Sequence, residues 1–211
     1  MSTRVFAILL AAAAMVIVLG GCAIGQDFDY TGGHIALLPG RSDTTTAVAV
    51  LDLRSYIVSG DKRENFVGLS RDGYGIPFNV KTRSGAPMAV DMATAVARAL
   101  EANGQPSMPI FVAVKGGAEG ARLALMSSGA ERLMLITLRE WKTDTMTRTG
   151  LWFDVTLDVF DAQGETIASR HISGQEIAGG SILSAEKDAQ RLFGEKIGEL
   201  LDNRDVASAL K

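Results

Sequence analysis

The chain has 211 residues, 47% of them hydrophobic, and its 21 basic and 24 acidic residues give a formal net charge of -3 at pH 7. This length suits one domain of ordinary size, and the hydrophobic content is sufficient for a core. Charges of both signs are mixed without a basic block, which argues against nucleic acid as a partner. One cysteine and two histidines exclude an intramolecular disulfide and a multi-histidine metal site, and we expect no cofactor.

Residues 1–21 have the features of a signal peptide. Arg4 gives the segment a positive start, and residues 5–19 form an uninterrupted hydrophobic run. A membrane span needs ~20 apolar residues, whereas this run is shorter and ends in small residues, as at a cleavage site. We therefore predict that residues 1–21 are removed.

The segment Leu19-Gly20-Gly21-Cys22 closes the run and resembles the lipobox of bacterial lipoproteins. The resemblance implies cleavage before Cys22, diacylglycerol on its sulfur and an acyl chain such as palmitate on its amine. Several acyl chains hold a protein on a membrane because each buried methylene contributes ~0.8 kcal/mol. Ala23 follows where aspartate would imply inner-membrane retention, so a diderm source implies an outer-membrane lipoprotein facing the periplasm. The alternative is an ordinary secretory signal with an incidental cysteine.

Residues 22–46 are rich in Gly, Asp, Ser and Thr and lack helical or strand periodicity. They predict a lipidated, flexible tether with a root-mean-square reach of about 25 Å. The other interpretation is an arm that packs partly on the domain, with residues 35–38 as its apolar patch.

Ordered structure is predicted over residues 47–203, followed by a C-terminal tail over 204–211. Residues 47–53 form a short β-like run with a polar exit at Arg54. Residues 59–85 mix Gly, Asp, Arg and Lys with scattered hydrophobes, which predicts a long irregular segment that is functional or mobile.

A helix is predicted from Pro87 to Gly104, because proline suits a first helical turn and glycine a stop. Residues 110–114 are apolar throughout and predict a buried strand, after which Gly116 and Gly117 turn the chain into a second, shorter helix. The apolar stripe of the first helix consists of Met88, Met92, Val96 and Leu100.

The C-terminal half predicts three strands and a helix. Residues 133–138 are apolar, and residues 151–159 alternate hydrophobic and polar side chains with period two. Residues 161–164 form a hairpin loop that returns the chain through residues 166–174, which completes an antiparallel meander. The last helix starts near Ser184, and its sheet side carries Leu192, Phe193, Ile197, Leu200 and Leu201.

The predicted order is β-α-β-α-β-β-β-α, an α/β fold of the α+β type in which helices pack on a mixed sheet. The chain also resembles the YajG-type family of uncharacterised bacterial lipoproteins. The resemblance rests on residues 50–54, on residues 67–75, on the helix that ends at Gly104, and on the late hairpin followed by residues 190–201. Similar arrangements occur in auxiliary lipoproteins of envelope transport systems and in the N-terminal domain of TolB-like proteins. None of these resemblances supplies a catalytic residue.

The remaining chemistry-bearing residues favour structural roles. His34 lies in the predicted tether and His171 in a predicted strand, so a histidine-assisted nucleophile is poorly supported. Residues 115–120 open the second helix and predict a tight turn, with phosphate binding as the alternative, although nucleotide-loop spacing is missing. Solvated positions are expected for the carboxylates of Asp154, Asp158, Glu186 and Asp188.

Aromatic and basic residues within and after the irregular segment predict a partner contact at Arg71, Tyr74, Phe78 and Arg83. Such residues on a loop can contact a protein or an anionic envelope polymer. The alternative is that Tyr74 and Phe78 cover a sheet edge.

Trp141 and Trp152 are expected to flank a turn between strands. They form either a cross-strand aromatic pair or part of a contact surface.

Together these features predict a lipid-anchored periplasmic binding or assembly module that is not an enzyme, with an envelope protein or polymer as partner. The alternative is an auxiliary subunit of an envelope transporter that carries lipid or another hydrophobic cargo. An enzyme acting on envelope polymer is the third class, and it requires an acidic or serine-based cleft.

Overall fold

The computed structural model describes residues 26–35 and 42–211. The predicted signal peptide, Cys22 and residues 36–38 of the predicted apolar patch lie outside the described residues. In the described ranges, no helix is long and apolar enough to cross a membrane.

One curled, mixed sheet of eight strands and five α-helices make up this part of the chain. The strands are β1 (Asp27–Phe28), β2 (Thr46–Asp52), β3 (Phe66–Arg71), β4 (Pro77–Thr82), β5 (Ser107–Pro109), β6 (Arg132–Thr145), β7 (Thr149–Asp161) and β8 (Thr166–Ile177). The helices are α1 (Ser55–Val58), α2 (Met88–Ala102), α3 (Gly117–Met126), α4 (Ala185–Leu201) and α5 (Arg204–Ala209), with short 3-10 helices at Val114–Gly116 and Ile182–Ser184.

The long strand β6 organises the sheet. On one side it pairs antiparallel with β7, which in turn pairs with β8. On the other side, residues 132–138 pair in parallel with β2, and residues 143–145 pair in parallel with β3. The sheet therefore divides along β6 into one branch that continues to β5 and another that continues to β4 and β1.

Helices cover both faces of the first branch. All of β2 is buried, as expected for a parallel strand between helical layers. Its side chains point to alternate faces, so that Val48 and Val50 enter the larger core with α2 and α4, while Leu51 enters the smaller core with α3.

The predicted mixed-sheet class is confirmed, and the strand and helix predictions for β2, α2, α3, β7, β8 and α4 fall on observed elements. The predicted hairpin loop is also present. The Gly164 amide donates to the Asp161 carbonyl oxygen at 3.0 Å, and the Asp161 carboxylate accepts from the amides of Gln163 and Glu165 at 2.9 Å each.

The prediction of an irregular segment over 59–85 is wrong, because this segment contains the hairpin β3–β4. Its turn is closed by the Asp72 carboxylate, which accepts from the amides of Tyr74 and Ile76 at 2.9 Å each. The strands have six residues each, and their buried side chains are Phe66, Val67 and Ser70 on β3 and Val80 and Thr82 on β4. So short and half-buried a pattern is easily read as a loop.

The prediction of a buried strand over 110–114 is also wrong. The strand β5 ends at Pro109, which lies on the edge of the sheet, where proline is tolerated because its missing N–H would face away from β2. The Ile110 amide makes one more bond to the Val48 carbonyl oxygen, at 2.7 Å. The chain then leaves the sheet, and Phe111 is 61% exposed.

The predicted C-terminal tail over 204–211 contains the helix α5. The Asn203 side chain caps this helix by accepting from the amides of Asp205 and Val206 at 3.0 and 3.3 Å. Val206 and Leu210 are buried, and this burial explains why the segment is ordered.

Candidate functional site

The N-terminal arm, residues 26–35, is built into the domain. Its strand β1 pairs in parallel with the end of β4, and Phe28, Tyr30 and Ile35 are buried. Over residues 26–35 this agrees with the alternative of a packed arm and not with the flexible tether predicted over 22–46, of which residues 22–25 and 36–41 lie outside the described residues. The physical reason is that burial of a large apolar side chain contributes ~1.5–3 kcal/mol, which offsets the entropy lost by the ordered segment.

Helix α4 is shaped to receive the arm. A Cβ at Gly194 would overlap the carbonyl oxygen of His34, and a Cβ at Gly33 would lie 2.9 Å from the ring of Phe193. The rings of Tyr30 and Phe193 meet edge to face with centroids 5.3 Å apart. Glycine on each side therefore allows the arm and α4 to approach closely.

Polar contacts also hold the arm. The Asp29 amide donates to Glu186 Oε1 at 3.0 Å, and Gln190 Nε2 donates to the Asp29 carbonyl oxygen at 2.7 Å. Arg83 Nη2 lies 2.6 Å from Glu186 Oε2, which connects the end of β4 to α4. The Thr31 hydroxyl donates to the Asp29 carboxylate at 2.6 Å, and this bond lowers the pKa of Asp29.

The arm reaches the centre of the larger core through Tyr30. Trp141 Nε1 donates to the Tyr30 hydroxyl at 3.2 Å, and Trp141 is fully buried. Burial raises the pKa of Tyr30 to about 12. Because Tyr and Trp are polar at one edge, the Tyr30 hydroxyl can serve as the acceptor for the buried indole N–H of Trp141.

The two tryptophans are not a directly paired cross-strand couple. Trp141 lies opposite Phe153, while Trp152 lies opposite Lys142 on the next register position. Lys142 Nζ is 5.6 Å from the centre of the Trp152 ring. Successive strand residues point to opposite faces, so the two indoles lie on different faces of the sheet.

A buried ion pair occupies the fork, the stretch of β6 over 138–141 where the sheet divides. Arg54 and Asp52 are 0% and 3% exposed at their side chains, and they form two hydrogen bonds of 2.8 and 2.6 Å. Arg54 Nη1 also donates to the Trp141 carbonyl oxygen at 2.9 Å. Burial disfavours the guanidinium charge, but the contacts with Asp52 outweigh it and raise the pKa of Arg54.

The four residues for which a partner contact is predicted do not lie together in the structure. Arg71 pairs with Asp144 at 2.6 Å, Tyr74 is 94% exposed in the β3–β4 turn, and Phe78 is half-buried on β4. Arg83 lies beyond the other end of β4 and contacts the arm region. Arg71 and Tyr74 thus share one end of the hairpin, and Arg83 belongs to the other.

Two turns meet at the first of these ends. The last residues of β3 pair in parallel with the last residues of β6, so the β3–β4 turn (72–76) and the β6–β7 turn (146–148) lie side by side. Large apolar side chains are exposed there, namely Tyr74, Ile76 at 54% and Met146 at 48%. We call this surface the open end of the sheet.

An apolar cleft lies between α2 and the segment after β5. Its empty volume is about 380 Å³, including space open to solvent. The exposed ring of Phe111 lines it, together with the carboxylate residues Asp52 and Glu64. The apolar part of the lining consists of Val50, Pro87, Ala89, Val90, Ile110, Val112 and Val114.

The other residues considered for chemistry have structural partners or open surroundings. His171 Nε2 lies 2.9 Å from Asp154 Oδ1 on the exposed face of β7 and β8. The turn before α3 places Gly117 at φ +57°, where glycine is favoured. Within residues 26–35 and 42–211, no group of three or more His, Cys, Asp and Glu side chains is placed to hold a metal ion.

Sequence reasoning missed two features of this site. Arg54 was interpreted as a polar exit, although Asp52 two residues earlier can be read as its partner. Phe28 and Tyr30 have the spacing of a strand, but two positions are too few for a pattern, and Ile35 follows only five residues later. The sequence feature that indicates a packed arm is the presence of these large apolar residues in a segment whose other residues suit a linker.

No family model and no curated protein matches the chain. Similar solved structures include protein XCC0632 of the DUF330 family from Xanthomonas campestris, at 11% identity over 80% of this chain and 92% of that chain, with a TM-score of 0.46. The PelC dodecamer from Paraburkholderia phytofirmans is 17% identical over 81% and 91%, with a TM-score of 0.40. Lipoprotein GNA1162 from Neisseria meningitidis is 14% identical over 76% and 96%, with a TM-score of 0.33. Proteins named as lipoproteins therefore occur among the similar structures, and no role is transferred from them.

Proposed function

We propose that this chain is a lipid-anchored envelope protein whose domain acts as a binding or assembly module and not as an enzyme. The observation that carries the proposal is the docking of the arm, which begins four residues after Cys22. Four residues span at most ~14 Å, so a lipid on Cys22 is linked to one defined place on the domain. For a diderm source, Ala23 supports placement on the periplasmic side of the outer membrane.

A binding role agrees with the contacts of the charged side chains, several of which pair with other groups of the domain. Asp52 and Arg54 are paired in the fold, and Glu186 holds the arm. His171 and Asp154 contact each other on an exposed sheet face, with Nε2 and Oδ1 2.9 Å apart. These groups are arranged to hold the domain together, which supports the proposal of a module without turnover.

The transporter-subunit alternative requires a pocket for hydrophobic cargo. The cleft beside Phe111 has an empty volume of about 380 Å³, and this figure includes space open to solvent. A lipid with two acyl chains does not fit into this space. This cleft therefore does not support the carrier role.

We expect Cys22→Ala to release the protein from membranes. The substitution removes the sulfur that carries diacylglycerol, and without buried acyl methylenes the attachment is lost. Fractionation of cells, with the mass of the mature N-terminal peptide, measures both effects. The matched control is Ala23→Asp, which keeps Cys22 and should stay membrane-bound while moving to the inner membrane. An unmodified Cys22 peptide in the wild type would contradict the proposal.

We expect a photo-crosslinking residue at Tyr74 to capture an envelope partner. Tyr74 is 94% exposed beside Ile76 and Met146, and aromatic residues dominate many interface contacts. The experiment uses the lipidated protein in cells, followed by mass spectrometry. The control is the same probe at Leu123, which is 53% exposed on α3. A partner captured equally from both positions, or retained in the Cys22→Ala background, would contradict a specific contact at the membrane.

A further inference from the structure

An apolar side chain stands in solvent next to the start of the arm. Leu183 is 90% exposed in the short 3-10 helix between β8 and α4. A single exposed leucine is common on protein surfaces. Its position is informative here because Ile182 and Leu183 line the same surface hollow as Gln26 and Phe28.

The position of Leu183 is fixed relative to the proposed anchor. Only three residues separate Cys22 from Gln26, so the Cα atom of Cys22 is at most ~14 Å from that of Gln26, which lines the hollow. The acyl chains on Cys22 enter the bilayer, so the lipid headgroups lie close to Cys22 and therefore close to the hollow. Leu183 is therefore on the part of the described surface that the anchor draws toward the membrane.

The turn that carries Leu183 is well ordered by hydrogen bonds. The Ser181 amide donates to the Ser184 hydroxyl oxygen at 2.9 Å, and the Ser184 hydroxyl donates to Asp188 at 2.8 Å. Ala185, directly after the turn, is buried. The leucine is thus presented from a fixed base, which lowers the entropy cost of a contact.

We propose that the Ile182–Leu183 turn inserts into the interface of the same bilayer that holds the lipid on Cys22. This inference rests on the proposed function. Transfer of an exposed leucine from water to the acyl boundary is favourable, and it adds a second attachment point to the lipid. Two points fix the tilt of the domain on the membrane, whereas one lipid leaves it free to rotate.

The experiment uses full-length, lipidated protein with Leu183→Cys, labelled with an environment-sensitive fluorophore. Cys22 is the only natural cysteine and is blocked by acylation, so labelling is specific. The protein is reconstituted into vesicles of phosphatidylethanolamine and phosphatidylglycerol that contain a lipid spin-labelled near the headgroup. The matched control is Tyr74→Cys, which starts from a similar exposure of 94%. The arm pairs with β4 at Lys81, and Tyr74 lies seven residues before Lys81. Tyr74 is therefore roughly 20 Å from the arm along the hairpin.

We expect the label at 183 to shift its emission to the blue and to be quenched by the spin-labelled lipid. The label at 74 should be quenched by iodide in the water and not by the lipid. Equal iodide access at both positions, with an acylated N-terminal peptide, would overturn the insertion and leave the anchor intact. A peptide that lacks acyl mass would overturn the anchor and the insertion together.

Discussion

Replacing Arg54 by methionine is expected to lower the free energy of unfolding by about 3–5 kcal/mol, the cost of leaving one partner of a buried ion pair alone. Asp52 would be left without its partner at a side chain that is 3% exposed. The Trp141 carbonyl oxygen would also lose the guanidinium donor at the fork. Chemical denaturation of the soluble Cys22→Ala form, followed by circular dichroism, measures the change.

Two variants serve as controls for Arg54→Met. Arg191→Met removes an exposed pair with Glu195, 46% exposed at both side chains, and should change stability by at most about 0.5 kcal/mol. The double variant Asp52→Leu with Arg54→Met removes both charges and should recover much of the loss. A loss below about 1 kcal/mol for Arg54→Met alone would mean that the fork does not depend on this pair.

Gly194→Ala is expected to detach the N-terminal arm from α4. The added methyl group would overlap the His34 carbonyl oxygen, and backbone on both sides leaves little room for adjustment. Overpacking of this kind costs about 1–3 kcal/mol, and loss of the buried Phe28 and Tyr30 adds to it. Hydrogen exchange of residues 26–35 should rise sharply, while exchange in α3 should remain unchanged.

The matched control for Gly194→Ala is Gly120→Ala in α3. No heavy atom lies within 4 Å of a Cβ at Gly120. Alanine should therefore stabilise this helix by about 0.5–1 kcal/mol. If Gly194→Ala kept the arm protected from exchange and matched Gly120→Ala in stability, the close approach of the arm would not be essential.

The sequence predicted those elements whose side-chain pattern repeats over many residues. β7 alternates with period two, and α2 and α4 carry long apolar stripes, so burial of one face determines each element. The hairpin β3–β4 escaped prediction because its strands are short and its partner, the end of β6, is distant in sequence. At residues 110–114, apolar composition predicts a strand, whereas the chain leaves the sheet after the bond from the Ile110 amide to the Val48 carbonyl oxygen.

The site was less predictable because its contacts join distant parts of the chain. Nothing near Asp29 in sequence indicates that Glu186 and Gln190 hold it. Arg54 is buried near the point where β6 stops pairing with β2 and begins to pair with β3. The sequence around Arg54 does not show this pairing. Tyr74, by contrast, has the exposure that its predicted partner contact requires, because it is 94% exposed in the β3–β4 turn, and the contact itself stays a prediction.

The docked arm also sets an order of events in folding. The Asp29 amide and Glu186 are 157 residues apart in sequence, and Gln190 and Gly194 are more distant still. The arm cannot dock until nearly the whole polypeptide is available and α4 has formed, since contacts of such separation close late. Docking of the first described segment of the chain is therefore one of the last steps of folding.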